Sequence, residues 1–217
     1  DPKRIAEVLN RVITKAKRMS APAQINIPRD IWTQVVDIDL PEIIEFELPA
    51  GGTDAISSAA KILSDAKFPV ILNGAGVILG NAIPASQTLA ERLDSPVCCN
   101  YQHNDAFPGS HPLFVGPLGY NGSKAAMELI KQADVVLALG TRLNPFSTLP
   151  GYNLDYWPNE AKLIQVDINP DRIGLTKPVT VGIVGDSKQV AEQILSRLTD
   201  SAGDAGRDVR RKLIADK

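Results

Sequence analysis

From Thr53 onward the chain alternates short apolar runs with helix-length amphipathic segments, and few arrangements accommodate that pattern. The apolar runs lie in "FPVILNGAGV", "SPVCCNY", "ADVVLALGTRL", "AKLIQVDIN" and the shorter "VTVGIVG". Predicted helices fall around them: one capped by Thr53 or Asp54 and running to Ala66, then 84–93, 123–132, and 187–198 with Asp186 as its cap. Residues 102–119 read as a polar loop. Runs that are apolar throughout belong to strands buried on both faces, as in a parallel sheet between helices. Right-handed crossovers then give an α/β, doubly wound, Rossmann-like parallel sheet with helices on both faces over about 54–199. The order of its strands is not readable from the sequence.

The residues before this unit follow a different pattern. Ile5, Val8, Leu9, Val12, Ile13 and Ala16 recur at helical spacing and predict an amphipathic helix over 3–19. A short strand is expected at Ala23–Ile27, then a linker over 31–53 without sustained period. One helix and one strand cannot bury their own apolar faces, so 1–30 reads as a helix-strand remnant of another domain. Beyond Thr199 the polar stretch "DSAGDAGRDVRRKLIADK" reads as a linker or tail, or the start of another helix.

A hydrophobic fraction of 44% against 22% charged residues suits a globular core rather than disorder. A net charge of −2 supplies no basic field for nucleic acid or an anionic membrane, and the apolar runs are too short to span a bilayer. The adjacent Cys98 and Cys99 point to opposite faces of a strand and so form a poor disulfide pair. Two small core residues in a reducing cytoplasm is the expectation.

In doubly wound sheets, ligands bind beyond the carboxyl ends of the strands. Here those ends are Asn73-Gly74-Ala75-Gly76, Asn100-Tyr101-Gln102-His103, Gly140-Thr141-Arg142 and Asp167-Ile168-Asn169-Pro170. Gly74 and Gly76 would let a pyrophosphate approach the backbone, and Arg142 could hold a phosphate through two parallel bonds. The dinucleotide fingerprint is nonetheless broken. Gly80 comes one residue late for G-x-G-x-x-G, and Asn100 stands where a ribose-binding carboxylate is expected. The glycines serve equally for a tight strand-to-helix turn, and Asp167 equally for pinning its own loop. His103 and His111 lack metal-ligand spacing, and no nucleophile elbow or phosphate-loop lysine is present. Two Tyr and one Trp in "LPGYNLDYWPNE" suggest a contact surface or a cover for the sheet edge. No complete catalytic set and no metal site emerges.

"APAQINIPRD", "FPVILNGAGV", "HPLFVGPLGYNGSKAAMELIKQADVVLALGTRLNPF", "AKLIQVDINPDRIG" and "VGIVGDSKQ", in this order, resemble the central domain of thiamine-diphosphate-dependent enzymes over about 21–198. That family includes acetohydroxyacid synthase, pyruvate oxidase and oxalyl-CoA decarboxylase. The loop "TLPGYNLDYWP" is most similar to that of members cleaving a sulfonated aldehyde with phosphate. The resemblance implies that residues 1–30 close a pyrimidine-binding domain, and that thiamine diphosphate and Mg2+ bind outside this chain. It implies an inactive fragment whose partners are its own missing N- and C-terminal domains, in a homo-oligomer. Relatives that hold FAD or ADP use positions matching Gly74, Gly76, Arg142, Asp167 and Asn169; in many others the domain is empty, which is the expectation here. A 2-oxoacid enzyme such as an acetolactate synthase, or a non-catalytic nucleotide-binding or assembly module, are the alternatives.

Overall fold

The computed structural model describes residues 1–42 and 47–216, and these fall into two compact units, Asp1–Leu48 and Pro49–Lys217. In the first, Asp1 caps a 3-10 turn at Pro2–Arg4 that leads into α1, Ile5–Met19, which ends at Ser20 in the left-handed region. No residue of α1 is buried. The strand expected at Ala23–Ile27 does not form. A strand needs a neighbour for its N–H and C=O groups, and no described residue pairs with this segment. Part of the expected linker, 43–46, lies outside the described residues.

The second unit runs α2 (Thr53–Ser64), β1 (Pro69–Asn73), α3 (Ala75–Leu79), α4 (Ile83–Leu93), β2 (Val97–Asn100), β3 (Phe114–Leu118), α5 (Lys124–Ile130), β4 (Val135–Leu139), β5 (Lys162–Asp167), β6 (Val181–Val184), α6 (Ser187–Leu195) and α7 (Arg207–Ala215). All six strands are parallel, in the order β3-β2-β1-β4-β5-β6. β3 lies inside the segment expected to be a loop. Gly116 and Pro117 disguise it, and Pro is tolerated because β3 is an edge strand. The cap of α2 also differs from expectation. Gly52 takes the N-cap position and neither Thr53 nor Asp54 caps with its side chain; Asp54 instead places its charge in the first turn. Asp186 caps α6 as expected, accepting from Lys188 N and Gln189 N.

Strand residues alternate between two cores. Ile71, Val97, Cys99, Leu137, Leu139, Ile164, Val166 and Ile183 join Ile56 and Leu63 of α2, Leu89 and Leu93 of α4, and Val190 and Ile194 of α6. Val70, Leu72, Cys98, Val115, Val136, Ala138 and Leu163 face the other way, onto Met127 and Ile130 of α5 and onto Leu143 and Tyr156. Cys98 and Cys99 are therefore buried on opposite faces and are not joined in a disulfide. The second face has one α-helix because the β4–β5 crossover is a loop, whose Leu154, Tyr156 and Trp157 fill the place of a helix. Lys177 lies 5.0 Å over the Trp157 ring.

Residues beyond Thr199 do not trail away as a linker or tail. Ala202 is fully buried in the first core, Ile214 packs against it, and Arg210 of α7 is fully buried. At the strand entries, Asp134 accepts from Lys67 N and Phe68 N, both at 2.8 Å, holding the start of β1 against that of β4. Leu137, fully buried on the central strand β4, should lose about 2–5 kcal/mol on Leu137→Ala substitution, read as a lower urea midpoint at unchanged slope.

Candidate functional site

The strand order reverses between β1 and β4, so the crevice at their carboxyl ends is where such a sheet places a ligand. All five residues expected to serve a nucleotide lie at this edge: Gly74 and Gly76 after β1, Arg142 after β4, Asp167 and Asn169 at the end of β5. Their environments differ.

The two glycine turns at the switch point are bonded to each other. Gly74 N–H donates to Leu139 O at 3.0 Å and Gly76 N–H to Gly140 O at 2.9 Å. A Cβ on Gly74 would lie 2.5 Å from Gly140 O and from Thr141 Cβ; one on Gly76 would lie 2.7 Å from Gly140 Cα. Gly140, at φ +61°, faces back with the same closeness, its own Cβ position 2.7 Å from Gly76 Cα. Close backbone approach, the property that admits a pyrophosphate in nucleotide-binding relatives of this fold, is taken up here by the β4 turn. α3, which follows, is only five residues long.

Side chains close the crevice further. Asn100 Nδ2 donates to Thr141 Oγ1 at 2.8 Å, and Thr141 Oγ1 accepts from Leu143 N at 3.1 Å, across a turn with Leu143 at φ +53°. Asn100 Oδ1 is buried without a hydrogen-bond partner among the described residues. Arg142 is exposed at the rim. Asp167, 4% exposed, accepts from Asn169 N at 2.9 Å and lies 3.7 Å from the Arg172 guanidinium. Asn169 in turn caps the 3-10 turn Pro170–Arg172 by accepting from Asp171 N. These contacts let Asp167 pin its own loop.

Three further residues shape the edge: Gln165 escaped the reading of strand ends, while Asn73 and Asn100 were named in it without these roles. Gln165, buried within β5, donates to Thr141 O and Arg172 O and accepts from Gly174 N. Asn73 Nδ2 donates to Ser86 Oγ and Ala106 O, fixing the end of β1 to α4 and to the loop after β2. Asn100 makes the third. A polar residue inside an otherwise apolar strand was the available signal for all three, since burying it requires partners.

The histidines do not converge. His111 Nε2 lies 3.1 Å from Glu91 Oε1, its Nδ1 accepts from Leu113 N, and its ring meets Phe107 edge-on. His103 takes part in a backbone turn with Asn100 and Ala106. Among the described residues no group of three His, Cys, Asp or Glu side chains could hold a metal ion. Among them, too, no helix is long and apolar enough to cross a membrane. Tyr156, expected in a contact loop, is buried, and burial pushes its phenol up to about 12. Tyr152 stays exposed and donates to Gly122 O.

Strand order and switch-point crevice together define a Rossmann-type doubly wound domain. Residues 56–194 match the family model described as thiamine pyrophosphate enzyme, central domain, and the chain belongs to that family. It is 74% identical over 99% of its length to a sulfoacetaldehyde acetyltransferase of Roseovarius nubinhibens, covering 36% of that protein. It is 35% identical, over 82% of its length, to a probable acetolactate synthase large subunit of Methanocaldococcus jannaschii, covering 31% of that protein. The chain thus spans about a third of the length of the curated relatives it matches. The fold is also that of a benzoylformate decarboxylase from Polynucleobacter necessarius, with a TM-score of 0.75 at 23% identity, over 91% of this chain and 37% of that one.

Two outcomes follow from the geometry. Gly74→Ala should cost about 1–3 kcal/mol in chemical denaturation with no nucleotide present, because its Cβ enters Gly140 and Thr141. Burial is the main cause that raises the Asp167 carboxyl above its ordinary 3.8, against the opposing Asn169 amide and the Arg172 and Arg142 charges. The fold thus favours the neutral form. That stability is fully present below pH 3.8 and is lost as pH rises through the raised value. Asp167→Asn keeps the acceptor for Asn169 N–H without ionising. It should melt higher than the wild type at pH 7, and the gap should close below pH 3.8.

Proposed function

We propose that this chain is the central domain of a thiamine-diphosphate-dependent sulfoacetaldehyde acetyltransferase, which converts sulfoacetaldehyde and phosphate to acetyl phosphate and sulfite. The observation that carries the reading is the 74% identity, spread over 99% of the chain, to a relative bearing that name. The reaction balances without an external oxidant. The aldehyde carbon rises to the acyl level, the adjacent carbon is reduced to a methyl group, and the carbon–sulfur bond breaks to release sulfite. Phosphate takes the acyl group.

In this reading thiamine diphosphate and Mg2+ bind to parts of the polypeptide outside Asp1–Lys217. The described residues supply framework, not a group that touches substrate. The fragment alone is inactive, and residues 1–30 complete a neighbouring pyrimidine-binding domain. The parent enzyme is a cytoplasmic homo-oligomer. The crevice between β1 and β4 serves cohesion, with Gly76 N–H and Gly74 N–H engaged by β4 and Asn169 engaged in its own turn. FAD or ADP is not required there.

Full-length protein supplied with thiamine diphosphate, Mg2+ and phosphate should release sulfite and acetyl phosphate from sulfoacetaldehyde, while Asp1–Lys217 alone releases none. Acetolactate formed from pyruvate, with no sulfite from sulfoacetaldehyde, would transfer the assignment to the acetolactate synthase branch. Stoichiometric FAD or ADP binding by Asp1–Lys217 would remove the cohesive reading of the crevice.

A further inference from the structure

The segment after α6 is polar in sequence, yet it runs back across the amino ends of β1 and β2. The side chain that makes the most hydrogen bonds in holding it there is Arg210. Of the nine residues of α7 only Arg210 is buried, and it is buried completely. A guanidinium presents five N–H donors, and here every one meets a backbone carbonyl. Three belong to the body of the domain: Asp94 O on Nε, Lys67 O on Nη1 and Leu93 O on Nη2. Two belong to the strap itself, Ala205 O and Gly203 O. Among the described residues no carboxylate makes a hydrogen bond to Arg210; Asp94 instead pairs with Arg211 at 2.9 Å, with Arg207 at 3.8 Å. Burial pulls the Arg210 guanidinium down from its ordinary range, with Asp94 opposing.

Apolar anchoring is small by comparison. Ala202 is buried and Ile214 half-buried, while Val209 and Leu213 are exposed. A second arginine, Arg92 of α4, donates to Thr199 O, Asp200 O and Ala202 O at the start of the strap. Gly203 at φ +85° lies against the Leu93 carbonyl, where its Cβ would come within 2.7 Å. A segment held by hydrogen bonds to carbonyls with little apolar burial belongs to the low end of the local stability range, below the strands it covers.

We propose that Thr199–Ala215 is a latch, a strap that opens and closes on the amino edge of the sheet as a unit, with Arg210 as its fastener. Closed, it satisfies the carbonyls of Lys67, Leu93 and Asp94. Open, it leaves the six strands paired and presents those three carbonyls as a receptor for a planar cation. The latch lies wholly beyond the matched family segment, which ends at residue 194.

Hydrogen exchange on the full chain tests this. In the wild type, amides of 199–216 should exchange faster than those of β1 and β4. In Arg210→Ala they should exchange faster again by about tenfold or more, with β1 and β4 unchanged. Arg210→Lys, which keeps the charge and loses the fork, should fall between. Millimolar guanidinium chloride should restore strap protection in Arg210→Ala, and equal sodium chloride should not. Loss of protection in β1 and β4 together with the strap, or failure of Arg210→Ala to fold, would make the strap part of the cooperative core and overturn the latch. An unchanged strap in Arg210→Ala would remove Arg210 as its fastener.

Discussion

The contact between the Gly74–Gly76 turn and Gly140 organises the rest of the sheet's carboxyl edge. Two backbone turns meet with no side chain between them, and the first donates to the second through Gly74 N–H and Gly76 N–H. The start of α6 is seated by the same contact, since a Cβ on Gly140 would lie 2.6 Å from Ser187 Oγ. Asp186, one residue earlier, caps α6 and leaves no room for a side chain at Gly80; its amide donates to Pro49 O. From one glycine-to-glycine approach, then, the central strands, the third helix of the first face and the entry to the unit are all placed.

The two faces of the sheet are stabilised by different means. On the first, α2, α4 and α6 bury branched and aliphatic side chains in the usual helix-on-sheet manner. On the second, one helix is joined by an irregular crossover between β4 and β5, whose buried Leu143 and Tyr156 do what a helix would otherwise do. Such a loop must satisfy its own backbone, and its start shows how: Thr141 and Asn144 each accept a local backbone N–H. The aromatic density of the crossover is thus largely explained by packing, with Tyr152 and Phe146 left at the surface.

Much of this was legible because strands buried on both faces are conspicuous as runs of Val, Ile and Leu. The opposite orientations of Cys98 and Cys99 followed from the period of a strand, and the Asp186 cap from its position before an apolar repeat. What stayed hidden depends on partners distant in sequence. Strand order is such a property, and so is the absence of a strand at Ala23–Ile27, whose local pattern suits one but whose pairing partner is not among the described residues. β3 was concealed by Gly116 and Pro117, tolerable only at an edge. Arg210 was concealed more thoroughly, because its partners are main-chain carbonyls and those leave no signature in the sequence. The convergence of Gly74, Gly76, Arg142, Asp167 and Asn169 on one edge followed from the rule for strand ends. The engagement of Gly74 and Gly76 with the turn after β4, and of Asp167 with Asn169, did not.

That engagement bears on how a fold built around a nucleotide crevice persists once chemistry resides elsewhere. A phosphate approaching Gly76 N–H would have to displace Gly140 O and separate turns already in van der Waals contact, loosening the start of α6 as it did so. The buried Asn100–Thr141 pair would be disturbed next, because Thr141 also holds Leu143 in a left-handed conformation that a leucine adopts only under constraint. In the proposed reading, a ligand there would compete with the domain for the same backbone groups. In the proposed reading the domain holds them, Gly74 and Gly76 through the turn after β4 and Asp167 and Asn169 through their own loop.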